Sequence, residues 1–105
     1  MGYRIAVLGE RDIVAGFAAL GLDVYPVDQP QQAVESFRRI TREETGVEII
    51  YVTETFASAL AEEIDRFRNS ASPAIILIPG RGGSLGIGRD ALKSAVERAV
   101  GADIL

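Results

Sequence analysis

Ala74-Ile75-Ile76-Leu77-Ile78-Pro79-Gly80-Arg81-Gly82-Gly83-Ser84-Leu85-Gly86-Ile87-Gly88 opens with five apolar residues, stops at a proline and continues into a loop with five glycines. No polar position interrupts the apolar run, so it reads as a strand buried on both faces. From Arg89 onward Ala91, Leu92, Ala95, Val96, Ala99 and Val100 recur at helical spacing, while Lys93, Glu97 and Arg98 fall elsewhere on the surface. A strand that enters a helix through such a loop fits an α/β fold. Its glycines, lacking Cβ, allow the backbone to approach either a phosphate group or another protein closely.

The rest of the chain repeats the same unit. Ile5-Ala6-Val7-Leu8 predicts a first strand stopped by Gly9. Asp12 is placed to cap a helix with Ile13, Val14, Phe17 and Leu20 on its apolar face, ended by Gly21. Asp23-Val24-Tyr25-Pro26-Val27 predicts a second strand, and its internal proline, which cannot donate to a ladder, puts that strand at a sheet edge. Asp28 and Pro30 open a second helix through Ala33, Val34, Phe37 and Ile40, closed by Gly46. Ile49-Ile50-Tyr51-Val52 is the third strand. Thr53 is placed to cap a third helix that carries Phe56, Leu60, Ile64 and Phe67, with Glu54 in its first turn, and Ser70-Ala71-Ser72-Pro73 makes the loop to the fourth strand.

The order β-α-β-α-β-α-β-α with right-handed crossovers predicts a single α/β domain. Its four-stranded parallel sheet, in the order 2-1-3-4, is flanked by helices as in flavodoxin-like and receiver-like folds. Residues 1–79 form the sheet core, 80–88 a glycine-rich hinge loop, and 89–105 a C-terminal helix and tail. A chain of 105 residues, 48% of them hydrophobic, suffices for one such core.

Composition removes several classes of function. A formal net charge of −4, with no local run of Lys and Arg, disfavours a nucleic-acid backbone as partner. The absence of cysteine leaves no thiolate nucleophile, disulfide or sulfur metal site, and the absence of histidine removes the side chain most used for proton transfer near neutral pH. The start Met1-Gly2-Tyr3-Arg4-Ile5 has no leader pattern, and the apolar stretch from Pro73 to Pro79 is far shorter than the roughly 20 residues that span a bilayer.

In a doubly wound sheet, ligands sit beyond the carboxyl ends of the strands, here at Gly9-Glu10-Arg11-Asp12 and Thr53-Glu54. A receiver would need an aspartate acceptor where Thr53 and Glu54 stand and a lysine where Ile78-Pro79-Gly80 stands, so only its first acids, Glu10 and Asp12, are in place. Those acids read most simply as a solvated loop residue and a helix cap, with a magnesium site on the pair as the sharper alternative. Gly86-Ile87-Gly88-Arg89-Asp90-Ala91 spells a dinucleotide fingerprint, but the chain ends 17 residues after Gly88. The glycine spacing of Gly83 to Gly88 is that of a P-loop, yet Arg89 and Asp90 replace its Lys and Ser/Thr. Arg81 and Arg89 beside a helix start leave an anion-binding regulatory domain open as a second reading. No catalytic, cofactor or metal constellation is completed.

Several segments resemble the F subunit of the V-type and archaeal-type (A/V-type) rotary ATPases. They are Gly9-Glu10-Arg11-Asp12 with Gly16-Phe17, Gly21-Leu22-Asp23-Val24-Tyr25-Pro26-Val27, Ile50-Tyr51-Val52-Thr53-Glu54 and Pro73-Ala74-Ile75-Ile76-Leu77-Ile78-Pro79. Gly83-Ser84-Leu85-Gly86-Ile87-Gly88 and the ending from Val96 to Leu105 complete the match. Glu10 stands where that family often has aspartate, and Gly80-Arg81-Gly82 replaces a more polar tripeptide. The resemblance implies a non-catalytic rotor component of the central stalk, without cofactor, that binds the coiled-coil shaft formed by the D subunit. It implies a cytoplasmic location, peripheral to the membrane through the complex. The expected contact residues are Leu85, Ile87, Leu92, Ala95, Val96, Ala99, Val100, Ile104 and Leu105, with Ala91 also small enough for close approach.

Overall fold

A computed structural model describes residues 4–81, and within them the chain forms one parallel sheet with helices on both faces. The strands are Arg4–Glu10 (β1), Asp23–Val27 (β2), Val47–Thr53 (β3) and Ala74–Ile78 (β4), in the order β2-β1-β3-β4. The expected order 2-1-3-4 is the observed one. Connections from β1 leave in both directions across the sheet, so right-handed crossovers place the helix after β1 and the helix after β2 on opposite faces. The glycine-rich loop beyond Arg81 and the expected C-terminal helix lie outside the described residues.

Central position explains the burial of β1, whose Ala6, Val7 and Leu8 have no exposed surface. Strand alternation sends Ala6 and Leu8 to one face, where they meet Val27, Ile50 and Val52 and, from the helical layer, Ala33, Phe37, Ile40, Phe56 and Leu60. Phe37 and Phe67 meet edge to face with ring centres 6.0 Å apart. Arg11–Ala18 (α1) lies against β1 and β2 with Val14 buried.

Pro30–Glu43 (α2) starts from a capping box: Gln29 and Gln32 each bond the other's backbone, and Pro30 occupies the first turn, where no N–H is needed. The cap is therefore Gln29 rather than Asp28, whose N–H instead donates to Gln32 Oε1 at 2.7 Å. Gly46, at φ 80°, supplies the left-handed residue that turns the chain into β3.

Four expectations are corrected. Leu20 lies beyond α1 in the following turn and is 72% exposed, so it is not part of the helix's apolar face. The third helix is not continuous. A 3₁₀ turn at Glu54–Phe56 is followed by turns and then by the short helix Ala61–Asp65 (α3). The bond from Ala57 to Glu54 reaches back three residues instead of four, and the Leu60 N–H is shared between Ala57, three back, and Phe56, four back. The apolar face survives this change, because Phe56 and Leu60 remain buried and Ile64 and Phe67 pack against them. Thr53 caps nothing with its side chain. Finally, β4 is an edge strand paired only with β3 among the described residues, so it is half-buried, and Ile76 is 40% exposed.

Candidate functional site

Glu10 is the last residue of β1 and passes directly into α1, at the point where neighbouring connections leave the sheet on opposite faces. It is not a solvated loop residue: only 6% of its surface is exposed. Its Oε2 accepts hydrogen bonds from Thr55 Oγ1 at 2.7 Å and from the Arg81 backbone N–H at 2.8 Å. Burial alone would push this carboxyl up. The Arg81 amide, the Thr55 hydroxyl and the nearby Thr53 hydroxyl outweigh burial and hold the carboxyl down at about 2. Glu10 Oε1 and Thr53 Oγ1 are both buried without a hydrogen-bond partner among the described residues, so the Thr53 hydroxyl acts on Glu10 by proximity rather than by a formed bond.

The backbone is shaped around this carboxylate. A Cβ at Gly80 would overlap Thr55 Oγ1 and lie 2.8 Å from Glu10 Oε2, so the turn after β4 can close over Glu10 only without a side chain. A Cβ at Gly9 would collide with the Thr53 side chain, which is fully buried.

Asp12 is not the cap of α1. It sits inside the first turn, and Glu10, at the cap position, makes no side-chain cap bond because its carboxylate is engaged with Thr55 and Arg81. Asp12 instead receives the Arg81 guanidinium, Nε to Oδ2 at 3.0 Å and Nη2 to Oδ1 at 2.5 Å. The two-pronged bond from Arg81 is the main cause that lowers the Asp12 pKa and, reciprocally, raises that of Arg81. Both side chains are more than half exposed, so the pair sets direction more than stability.

The geometry decides among the chemical readings of this crevice. Glu10 and Asp12 do not face a common ligand; each is engaged by Arg81, one by its amide and the other by its guanidinium. Among the described residues there is no group of three or more His, Cys, Asp or Glu side chains that could hold a metal ion. The proposed Arg81–Arg89 anion site loses its first arm, because the Arg81 guanidinium is bound by Asp12. Arg89 lies outside the described residues, as do Leu85, Ile87, Leu92, Ala95, Val96, Ala99, Val100, Ile104 and Leu105. Glu54, expected as an acid in the first turn of a regular helix, lies buried in the 3₁₀ turn.

What sequence reasoning missed is the role of Glu10. The signal was present in three places: a glycine on each side of the crevice, Gly9 and Gly80, and two hydroxyl residues, Thr53 at the end of β3 and Thr55 just beyond it. Each has an ordinary explanation by itself.

Fold and crevice together define a small doubly wound α/β domain whose switch point is closed by its own chain. Residues 5–96 match the sequence profile of a family described as the ATP synthase (F/14-kDa) subunit. The F subunit of the V-type ATP synthase of Clostridium perfringens is 40% identical over 97% of this chain and 95% of its own length. That of Fusobacterium nucleatum is 42% identical over 98% and 96%. The F subunit of the A-type ATP synthase of Methanothermobacter thermautotrophicus is 36% identical over 100% and 99%. A crystal structure of the V-type ATP synthase F subunit from Archaeoglobus fulgidus superposes with a TM-score of 0.60 at 20% identity, covering 74% of this chain and 99% of that one, which extends the likeness to the fold. The chain belongs to the F-subunit family of the A/V-type ATP synthases.

Proposed function

We propose that this chain is a non-catalytic rotor component of the central stalk that binds the coiled-coil shaft, the D subunit. In this role it supports coupling between nucleotide turnover and proton or sodium transport. The observation that carries the reading is family membership over nearly the whole length, including the stretch from Leu85 to Val96. It is supported by the crevice, whose two acids are engaged by Arg81. No helix among the described residues is long and apolar enough to cross a membrane, which fits attachment to the membrane through the complex.

The contact is assigned to Leu85, Ile87, Leu92, Ala95, Val96, Ala99, Val100, Ile104 and Leu105. Small residues at Ala91, Ala95 and Ala99 permit close approach to a helical hairpin, and Leu92, Val96 and Val100 are the apolar anchors. For a standard interface of about 1,600 Å² in total, a few such anchors dominate the energy. Co-purification of the tagged full-length chain with the shaft protein tests this. The wild type should retain the shaft, and Val96→Glu should lose it while keeping its far-UV circular dichroism. A wild-type chain that does not retain the shaft would refute the proposal.

A further inference from the structure

The turn after β4 is held at a fixed point. The β3–β4 ladder closes at the pair Thr53 and Ile78, and Pro79 has no N–H to continue it. Beyond that pair, Gly80 packs over the Glu10 carboxylate, the Arg81 amide donates to it, and the Arg81 guanidinium is gripped by Asp12. Glu10 therefore ties the first residues after β4 to the end of β1, past the end of the intervening strand β3.

We propose that Glu10 is a positioning residue for shaft binding: through the amide of Arg81 it fixes the last residues before the segment assigned to the shaft contact. This inference rests on the proposed contact between that segment and the shaft. The two acids contribute unequally. Glu10 is buried, and its bonds are shielded from water and salt. The Asp12–Arg81 pair is exposed, so it refines the direction of the side chain but holds the chain weakly. Gly80 belongs to the same device, because a Cβ there would run into Thr55 Oγ1 and the Glu10 carboxylate, so the contact between them must change.

A contact whose starting point is held in place is competent to bind for a larger fraction of the time. Apparent affinity scales with that fraction. Releasing the clamp should thus weaken shaft binding even when the domain stays folded.

The test uses the full-length chain and the purified shaft protein, with affinity and rates measured by surface plasmon resonance at low temperature, where circular dichroism shows each variant folded. Glu10→Gln and Gly80→Ala are both expected to weaken binding by about fivefold to tenfold, mainly through slower association. Asp12→Asn is expected to change it less than about twofold. Glu63→Ala, which removes a buried carboxylate that is not part of the clamp, is the control for losing a buried acid and should bind as wild type does. If Glu10→Gln fails to fold, Gly80→Ala decides by reaching the same contact from the loop side. Wild-type affinity in folded Glu10→Gln or Gly80→Ala would overturn the positioning role, as would equal weakening by Glu63→Ala. Absence of binding by the wild type would instead strike at the proposed function.

Discussion

Arg38 on α2 reaches across to α3 and donates to Glu63 through Nε at 3.3 Å and Nη2 at 3.1 Å. Arg66 donates to the same carboxylate at 3.3 Å. A helix of five residues has almost no stability of its own, so α3 depends on what its neighbours supply. Part of that is apolar, through Leu60 and Ile64. The rest is this bridge, in which the Glu63 side chain is only 7% exposed. Because the arginine ends of the bridge are about half in water, Glu63→Ala should destabilise the domain by only about 1 kcal/mol. A urea melt should show the midpoint lowered with an unchanged slope.

Acid sensitivity should be concentrated at Glu10. Its folded value of about 2 lies below its ordinary value of 4.5, and Glu63 is lowered in the same direction, chiefly by Arg38. A carboxyl depressed on folding stabilises fully above its unfolded value, and the contribution is lost as pH falls through the folded one. Wild-type stability should therefore decline from near pH 4.5 toward about pH 2. Glu10→Gln should flatten that decline and lower stability at neutral pH by on the order of 3 kcal/mol. Urea titrations at a series of pH values measure both. A variant curve parallel to wild type across this window would contradict the assignment.

The strand order was legible because each strand is a short apolar run bounded by its own turn residues, and Pro26 marked β2 as an edge. The buried helical face was legible for a similar reason, since Phe37, Ile40, Phe56 and Leu60 recur at the right spacing. What escaped depends on tertiary partners. Periodicity continues through Leu20 although the helix stops at Ala18, because a pattern of apolar residues does not register a chain that turns away. Glu10 looks like any loop acid until Arg81, far along the chain, supplies its donor. The run from Ala74 to Ile78 reads as doubly buried, but its burial depends on which neighbours pair with it, and β4 pairs only with β3 among the described residues.

Glycine substitutions should separate packing from backbone preference. At Gly9 the new methyl would meet the buried Thr53 side chain between two central strands, so Gly9→Ala should destabilise by about 1–3 kcal/mol. Gly16 lies within α1 with nothing within 4 Å of an added Cβ, and there Gly16→Ala should stabilise by about 0.5–1 kcal/mol. Thermal melts of the two variants should move in opposite directions.

Leu20 and Phe37 test the boundary of the core from its two sides. Both fall on predicted apolar faces, yet Leu20 stands out in the turn after α1 while Phe37 is enclosed between α2, the sheet and the ring of Phe67. Removing a mostly exposed aliphatic side chain withdraws little buried area, so Leu20→Gln should change stability by less than about 0.5 kcal/mol. Phe37→Ala leaves a void that close-packed neighbours cannot fill, and should destabilise by about 3–5 kcal/mol. Matched urea melts decide the point: a large loss for Leu20→Gln would place that residue in the core after all, contrary to the observed end of α1 at Ala18.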